Sequence, residues 1–332
     1  MIGPVRAEHD VLLLDLDGTV YAGRAAVPGA LEALTGSAQR LLYVTNNASR
    51  SPREVAAHLS ELGFPASVGD VVTSSQSAAR LLAERVEQGG SVLVVGAQAL
   101  ADEITAVGLA AVRESDPTPA AVVQGHSPDT GWRVLAEAVL AIRAGAFWVA
   151  TNTDPTLPSE RGLLPGNGSM VAAVRTATGQ EPVVAGKPAR PLMEDALNRS
   201  GSTAPLVVGD RLDTDIAGAR AIGARSLLVL TGVSTPLDVL RAAEEQRPDL
   251  VAADLGGLDR PAADLQVGAV DGWDARVEGS YLVLTCGDGA ADPVAGLRAA
   301  CGPAWAEPTW SELRAEGAGA GAALRSWGVT PG

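Results

Sequence analysis

Four short clusters in this chain hold residue types that could do chemistry together. In the first, the apolar run Val11-Leu12-Leu13-Leu14 leads into Asp15-Leu16-Asp17-Gly18-Thr19. A strand that delivers two carboxylates from its end puts charge where burial is costly unless a cation compensates. Residues two apart share a face if the strand continues, and Gly18 lets the chain turn away; an ordinary strand exit uses the same residues. In the second, Leu41-Leu42-Tyr43-Val44 ends in Thr45-Asn46-Asn47, just before a helix that starts near Pro52. Backbone amides at such a junction form an anion site, while Ser49 or Ser51 can cap the helix with Pro52 in its first position. The third is Lys187, in Val183-Val184-Ala185-Gly186-Lys187-Pro188; alone it reads as a solvated surface lysine. In the fourth, Leu206-Val207-Val208-Gly209 ends in Asp210, with Asp213 and Asp215 close behind. Three acids on one short loop repel each other unless a cation joins them. A helix N-terminus would welcome Asp213 or Asp215, but it does not account for Asp210 at the strand end.

The elements that must position these residues alternate along the chain. Strands are expected at 11–15, 41–45, 92–95, 120–124, 147–151, 206–209 and 226–230. Helices are expected at 52–62, 76–84, 132–144, 170–178 and 191–199. Strands separated by helices of this length indicate βαβ units and parallel sheets, hence an α/β fold. The first two and last two strands end in polar residues, the place where open α/β sheets gather ligands. The strands between about residues 81 and 180 lack such ends and read as an inserted α/β unit of their own. From about residue 246 the composition shifts again, and Trp273, Trp305, Trp310 and Trp327 hold four of the six tryptophans. Residues 281–285 read as a strand and 310–327 as a helix weakened by Gly317, Gly319 and Gly321, together a small α+β appendage.

Composition narrows the function. The 332 residues are 46% hydrophobic and only 3% aromatic, so the core rests on Ala, Val and Leu. A formal charge of −14 argues against nucleic acid and against anionic membrane surfaces. No signal peptide and no apolar run long enough to span a bilayer stand out, and with two cysteines, Cys286 and Cys301, a cytoplasmic location is the expectation. An acidic protein still binds anionic esters where a metal, a lysine or a helix N-terminus supplies local positive charge.

Taken in order, DxDGT after a strand, Thr after the next strand, a distant Lys, and GDxxxTD after a third strand resemble the four motifs of the haloacid dehalogenase superfamily. The likeness covers about residues 8–245. It is similar more narrowly to the branch of p-nitrophenylphosphatases, phosphoglycolate phosphatases and ribonucleotide monophosphatases, whose large α/β cap lies between the second and third motifs. The 142 positions from Thr45 to Lys187 leave room for it. Further agreement comes from Ala150-Thr151-Asn152-Thr153-Asp154 and Gly162-Leu163-Leu164-Pro165-Gly166-Asn167-Gly168. Within the branch the chain most resembles the actinobacterial glycerol 3-phosphate phosphatases, which also carry an extra C-terminal segment. The resemblance implies a Rossmann-like, doubly wound parallel-sheet core at 1–80 and 181–245, a cap at 81–180, and a C-terminal segment at 246–332 similar to a truncated acetyltransferase fold.

It also implies roles. Asp15 is the nucleophile, giving an aspartyl-phosphate, and Asp17 the general acid and then base. Mg²⁺ is held by the Asp15 and Asp210 carboxylates and the Asp17 carbonyl, with Asp215 ordering a metal-bound water or bracing Lys187. Thr45, the amides of Asn46 and Asn47, and Lys187 stabilise the transferring phosphoryl group. On the cap, the segment 154–167 carries Glu160 and Arg161; Arg161 is a candidate substrate contact, and a solvated loop arginine is the competing reading. Glycerol 3-phosphate is the expected substrate, with phosphoglycolate or a nucleoside monophosphate next. A mutase would need a helical cap before the second motif, where only 29 residues separate Asp15 from Thr45. A non-catalytic phosphate sensor would have little use for the full set of motif residues. Arg314-Ala315-Glu316-Gly317-Ala318-Gly319 matches the R-x-x-G-x-G pattern of acetyltransferases, but with no strand evident before it, a structural or homodimer contact is the favoured role for this segment.

Overall fold

The computed structural model describes residues 3–159, 161–287 and 292–329. It forms two compact units. One is built from the chain up to Leu41 and from Ser202 onward, the other from Leu42 to Gly201.

In the first unit, Val11–Leu14 runs parallel to Pro205–Gly209, with Val11 opposite Pro205 and Leu14 opposite Val208. Pro205–Gly209 pairs in parallel with Arg225–Val229, and that strand with Leu250–Ala252. All four residues of Val11–Leu14 are buried, as expected where both faces of a parallel sheet are covered. The carboxyl ends of the first two strands deliver Asp15 and Asp210.

The C-terminal residues pack into this same unit. Trp273–Glu278 and Tyr281–Cys286 pair antiparallel, and Glu312–Glu316 joins Tyr281–Cys286 in parallel. Helices Pro293–Ala306 and Ala318–Ser326 complete the segment. Its core is continuous with that of the sheet: Leu228, Val239, Leu240 and Val251 belong to one buried cluster with Trp273, Leu284, Leu297, Trp310, Leu324 and Trp327. The Trp305 indole N–H donates to the Val239 carbonyl at 2.9 Å, and the buried Arg298 donates to that of Val251 at 3.1 Å. The helix expected over 310–327 is instead a strand followed by a helix. Leu313 and Ala315 alternate with Glu312, Arg314 and Glu316, the period of a strand, and Gly317, at φ 93°, makes the bend between the two.

In the second unit, Arg40–Thr45 carries Thr45 to its end and pairs in parallel with Val71–Thr73. Helix Pro52–Glu61 starts on a capping box: the Glu54 amide donates to Ser51 Oγ at 3.3 Å, and the Ser51 amide to Glu54 Oε2 at 2.7 Å. A five-stranded parallel sheet follows, in the order Val183–Val184, Phe147–Ala150, Ala121–Gln124, Ser91–Val95 and Ala110–Val112. Alternate residues feed opposite faces. Val92, Val94 and Val149 pack with Leu82, Leu100 and Ile104, whereas Leu93, Val95 and Trp148 pack with Ile142, Val171 and Val174. The segment after Phe147–Ala150 is an antiparallel hairpin, Thr156–Ser159 with Gly162–Pro165.

Among the described residues, no helix is long and apolar enough to cross a membrane.

Candidate active site

A cluster of acids lies in the first unit. Asp15 follows the last residue of its strand, and its amide continues the ladder by donating to the Val208 carbonyl at 2.9 Å. Asp17 is exposed. Asp210 is completely buried, and its carboxylate accepts from Thr19 Oγ1 at 3.2 Å and from the Val233 amide at 2.6 Å. Gly18 turns the chain at φ 92°, and a Cβ on it would lie 2.7 Å from Asp210 Oδ2. The Thr231 hydroxyl donates to the Gly18 carbonyl at 2.6 Å. Asp215, also buried, accepts from the Arg211 amide at 3.1 Å. The outcome is convergence: Asp15, Asp210 and Asp215 each bring a carboxylate oxygen within 4.8 Å of the others. Asp213 stands apart, exposed and paired to the Arg211 guanidinium at 2.7 Å.

The second unit holds the residues expected to bind phosphate. Lys187 is 3% exposed, not a surface lysine, and its Nζ donates to the Val44 carbonyl at 3.0 Å. Thr45 is equally buried, and its Oγ1 accepts from the Asn47 amide at 3.0 Å. The Asn47 side chain accepts from the Ser49 amide and hydroxyl at 2.9 and 2.7 Å, closing the turn ahead of the helix. The Asn46 carboxamide is bonded to Lys187 and Asp154. Arg161 is exposed at the tip of the 156–165 hairpin; Glu160 lies outside the described residues.

Set beside known proteins, residues 12–110 match the haloacid dehalogenase-like hydrolase model and residues 184–258 a second HAD-hydrolase-like model. Over 288 residues the chain is 57% identical to the D-glycerol 3-phosphate phosphatase of Mycobacterium tuberculosis, covering 87% of this chain and 81% of that one. The chain belongs to the haloacid dehalogenase-like hydrolases. An acid sugar phosphatase of Staphylococcus saprophyticus is 37% identical over 70% of this chain and 90% of its own. The magnesium-bound crystal structure of the Mycobacterium tuberculosis glycerol phosphate phosphatase superposes with a TM-score of 0.94 at 52% identity, covering 99% of this chain and all of that one. Residues 270–329 match a GCN5-related N-acetyltransferase like domain.

For a haloacid dehalogenase-like hydrolase the donor set fits magnesium. Three carboxylates are hard oxygen ligands, and two of them, at 0% and 1% exposure, would repel at close range without a cation. The sequence assigned no role to Thr19, Thr231 or the Val233 amide in the first unit, nor to Asn152 or Asp154 in the second. The signal for Thr231 and Val233 was available, since Thr231-Gly232-Val233-Ser234 lies just beyond the strand Arg225–Val229, where this fold gathers its chemistry. Asn152 and Asp154 stand in the Ala150–Asp154 stretch that agrees with the family, but their partners, more than a hundred residues away, are not legible there.

Proposed function

We propose that this chain hydrolyses glycerol 3-phosphate to glycerol and phosphate, with magnesium and through a phosphorylated Asp15. The observation that carries the chemistry is the convergence of Asp15, Asp210 and Asp215 carboxylate oxygens within 4.8 Å. The activity named for the Mycobacterium tuberculosis relative supports the substrate.

Asp15 and Asp210 would hold the metal with the Asp17 carbonyl, and Asp215 would bind it directly or through water. When bound, Mg²⁺ neutralises the charge that would otherwise keep an anionic nucleophile from an anionic ester. Asp15 forms a bond to phosphorus as the ester oxygen departs, and Asp17 gives that oxygen its proton. Asp17 then takes a proton from water, which attacks the same phosphorus, frees phosphate and restores the Asp15 carboxylate. Exposure of Asp17 suits a group that must exchange protons with incoming water. Thr45, the amides of Asn46 and Asn47, and Lys187 offset the charge on the phosphoryl oxygens.

In the same reading, residues 81–180 act as the cap that selects the leaving alcohol, with Arg161 on its hairpin as a substrate contact. Residues 246–332 form the appendage and offer the homodimer contact, which light scattering tests. The enzyme works in the cytoplasm on small phosphorylated metabolites.

The test is phosphate release with Mg²⁺ across glycerol 3-phosphate, phosphoglycolate, nucleoside monophosphates and sugar phosphates. The expected result is the highest kcat/KM on glycerol 3-phosphate; a clear preference for another ester reassigns the substrate. Asp15→Asn should lose turnover with Tm retained, and near-normal turnover would refute the covalent route.

A further inference from the structure

Asn46 makes more bonds than a strand-end asparagine needs. Its Oδ1 accepts from the Lys187 amide at 2.8 Å, and its Nδ2 donates to the Lys187 carbonyl at 3.0 Å. One carboxamide thus grips both peptide groups of a single residue, as a neighbouring strand would. Nδ2 also donates to Asp154 Oδ2 at 3.2 Å. The Asn46 carbonyl accepts from Asn152 Nδ2 and Ser74 Oγ, both at 2.7 Å. Gly186 permits this approach, since a Cβ there would lie 2.5 Å from both Asn46 Oδ1 and the Thr151 carbonyl.

Two consequences follow. Lys187 is fixed at both ends to the strand that carries Thr45, its Nζ on the Val44 carbonyl and its backbone on Asn46. The same carboxamide is tied to Asp154, two residues before the hairpin that presents Arg161. We infer that Asn46 is a positioning residue: its side chain sets Lys187 against Thr45 and links that placement to the root of the 156–165 hairpin. The side chain therefore does not contact substrate itself, although its backbone amide remains available to do so. The inference rests on the phosphatase reading for its effect on turnover, but not for the linkage.

The charge-swapping pair Asn46→Asp and Asp154→Asn tests it. N46D keeps the acceptor for the Lys187 amide but turns the donor into a second acceptor, facing the Lys187 carbonyl and the Asp154 carboxylate. Misplacing Lys187 weakens the transition state more than the ground state. kcat should fall roughly ten- to a hundredfold, while KM moves less than about threefold. D154N alone should cost less than about threefold, because the amide can turn its oxygen toward Asn46 Nδ2. In the N46D/D154N double variant the amide introduced at position 154 donates to the carboxylate introduced at position 46, and kcat should recover at least about fivefold over N46D. Wild-type kcat in N46D overturns the inference, as does a double variant no better than the product of the singles. If N46D cannot be isolated folded, Asp154→Leu carries the test, with kcat expected to fall about fivefold at constant KM; unchanged kcat refutes the linkage.

Hydrogen exchange on Asn46→Ala needs no turnover and separates the two ideas. Faster exchange is expected both around Lys187 and in the 154–166 segment. If the wild type releases phosphate from no ester, the phosphatase reading fails, yet this exchange pattern still supports the linkage. Exchange unchanged at both places overturns the linkage whether or not the enzyme turns over.

Discussion

Replacing Gly18 by alanine should damage the metal site and the fold together, and by an amount that the structure allows to be worked out. Gly18 sits at φ 92°, and an alanine Cβ would lie 2.7 Å from Asp210 Oδ2 and 2.8 Å from its Cγ. Backbone of this hand costs a residue with a Cβ about 1–2 kcal/mol. Relief of the contact requires Asp210 to move, and Asp210 is not a flexible surface group. It is completely buried, and it accepts from the Val233 amide at 2.6 Å and from Thr19 Oγ1 at 3.2 Å. Loss of even one hydrogen bond to a buried carboxylate costs about 1.5–3 kcal/mol. The total is about 2.5–5 kcal/mol, a fall in Tm on the order of 10 °C. Calorimetry with and without Mg²⁺ is the assay, since a displaced Asp210 should also shrink the stabilisation that the ion confers. Thr19→Val is the control: it removes one bond without the strained backbone or the clash, so it should cost only about 1.5–3 kcal/mol and leave the Mg²⁺ response in place. A wild-type Tm in G18A would refute the clash, and a lowered Tm with a wild-type Mg²⁺ response would refute the assignment of Asp210 to the metal.

Exhaustive chelation of divalent ions should silence phosphate release, and Mg²⁺ should restore it; activity that survives chelation sinks the metal assignment. Asp210→Asn should raise the Mg²⁺ concentration for half-activation about tenfold or more, read from a metal titration at saturating ester. Stability should also fall as pH drops below 7, partly through His9. Burial lowers its pKa, and its Nδ1 lies 3.2 Å from the Ala204 carbonyl. The unfolded chain therefore binds the proton more readily, so the contribution of His9 is complete above the unfolded value of about 6.5 and is lost as pH falls toward the lower folded value. His9→Gln should flatten that part of a Tm-against-pH curve, and an unchanged slope between pH 7 and 5.5 assigns the loss elsewhere. The Glu54 carboxyl, lowered by the Ser51 amide, acts in a more acidic window and does not confuse the reading.

Much of this molecule was legible before its structure, and the reason is local. Strands such as Val11–Leu14 and Ser91–Val95 are short apolar runs bounded by polar residues, and helix Pro52–Glu61 announces itself with Ser51, Pro52 and Glu54. Asp15 and Asp210 were visible because strand ends in this fold type carry the chemistry. What stayed hidden depends on long-range contact. Lys187 was legible as a motif lysine, but not that its Nζ donates to the Val44 carbonyl 143 residues away. The amide of Asn46 is expected at phosphate, but the sequence holds no sign that its carboxamide bonds to Lys187 and Asp154. The strand Glu312–Glu316 was missed because the glycines after it pulled the reading toward a weak helix, while its pairing partner, Tyr281–Cys286, begins 31 positions earlier in the chain.

That strand also bears on what the C-terminal segment is for. The R-x-x-G-x-G stretch begins inside the strand Glu312–Glu316 and runs past its end, and residues 270–329 match an acetyltransferase-like model. Arg314 of that stretch, however, lies over the Tyr281 ring with its guanidinium carbon 3.7 Å from the centroid, a cation–π contact within the sheet. The stronger physical role is covering apolar surface. Leu228, Val239, Leu240 and Val251, none more than 1% exposed, share a core with Leu297, Trp310 and Trp327 from this segment. Burial of a Val or Leu side chain is worth about 1.5–3 kcal/mol, so exposing even half of that surface on four residues forfeits roughly 3–6 kcal/mol. A typical domain has only about 5–15 kcal/mol to lose. A chain ended at Gly268 should therefore be insoluble or aggregated, with no cooperative melting transition. Recovery of that shortened chain as a soluble monomer with wild-type Tm and turnover would show that the segment is dispensable to the fold, and would reopen the case for an activity of its own.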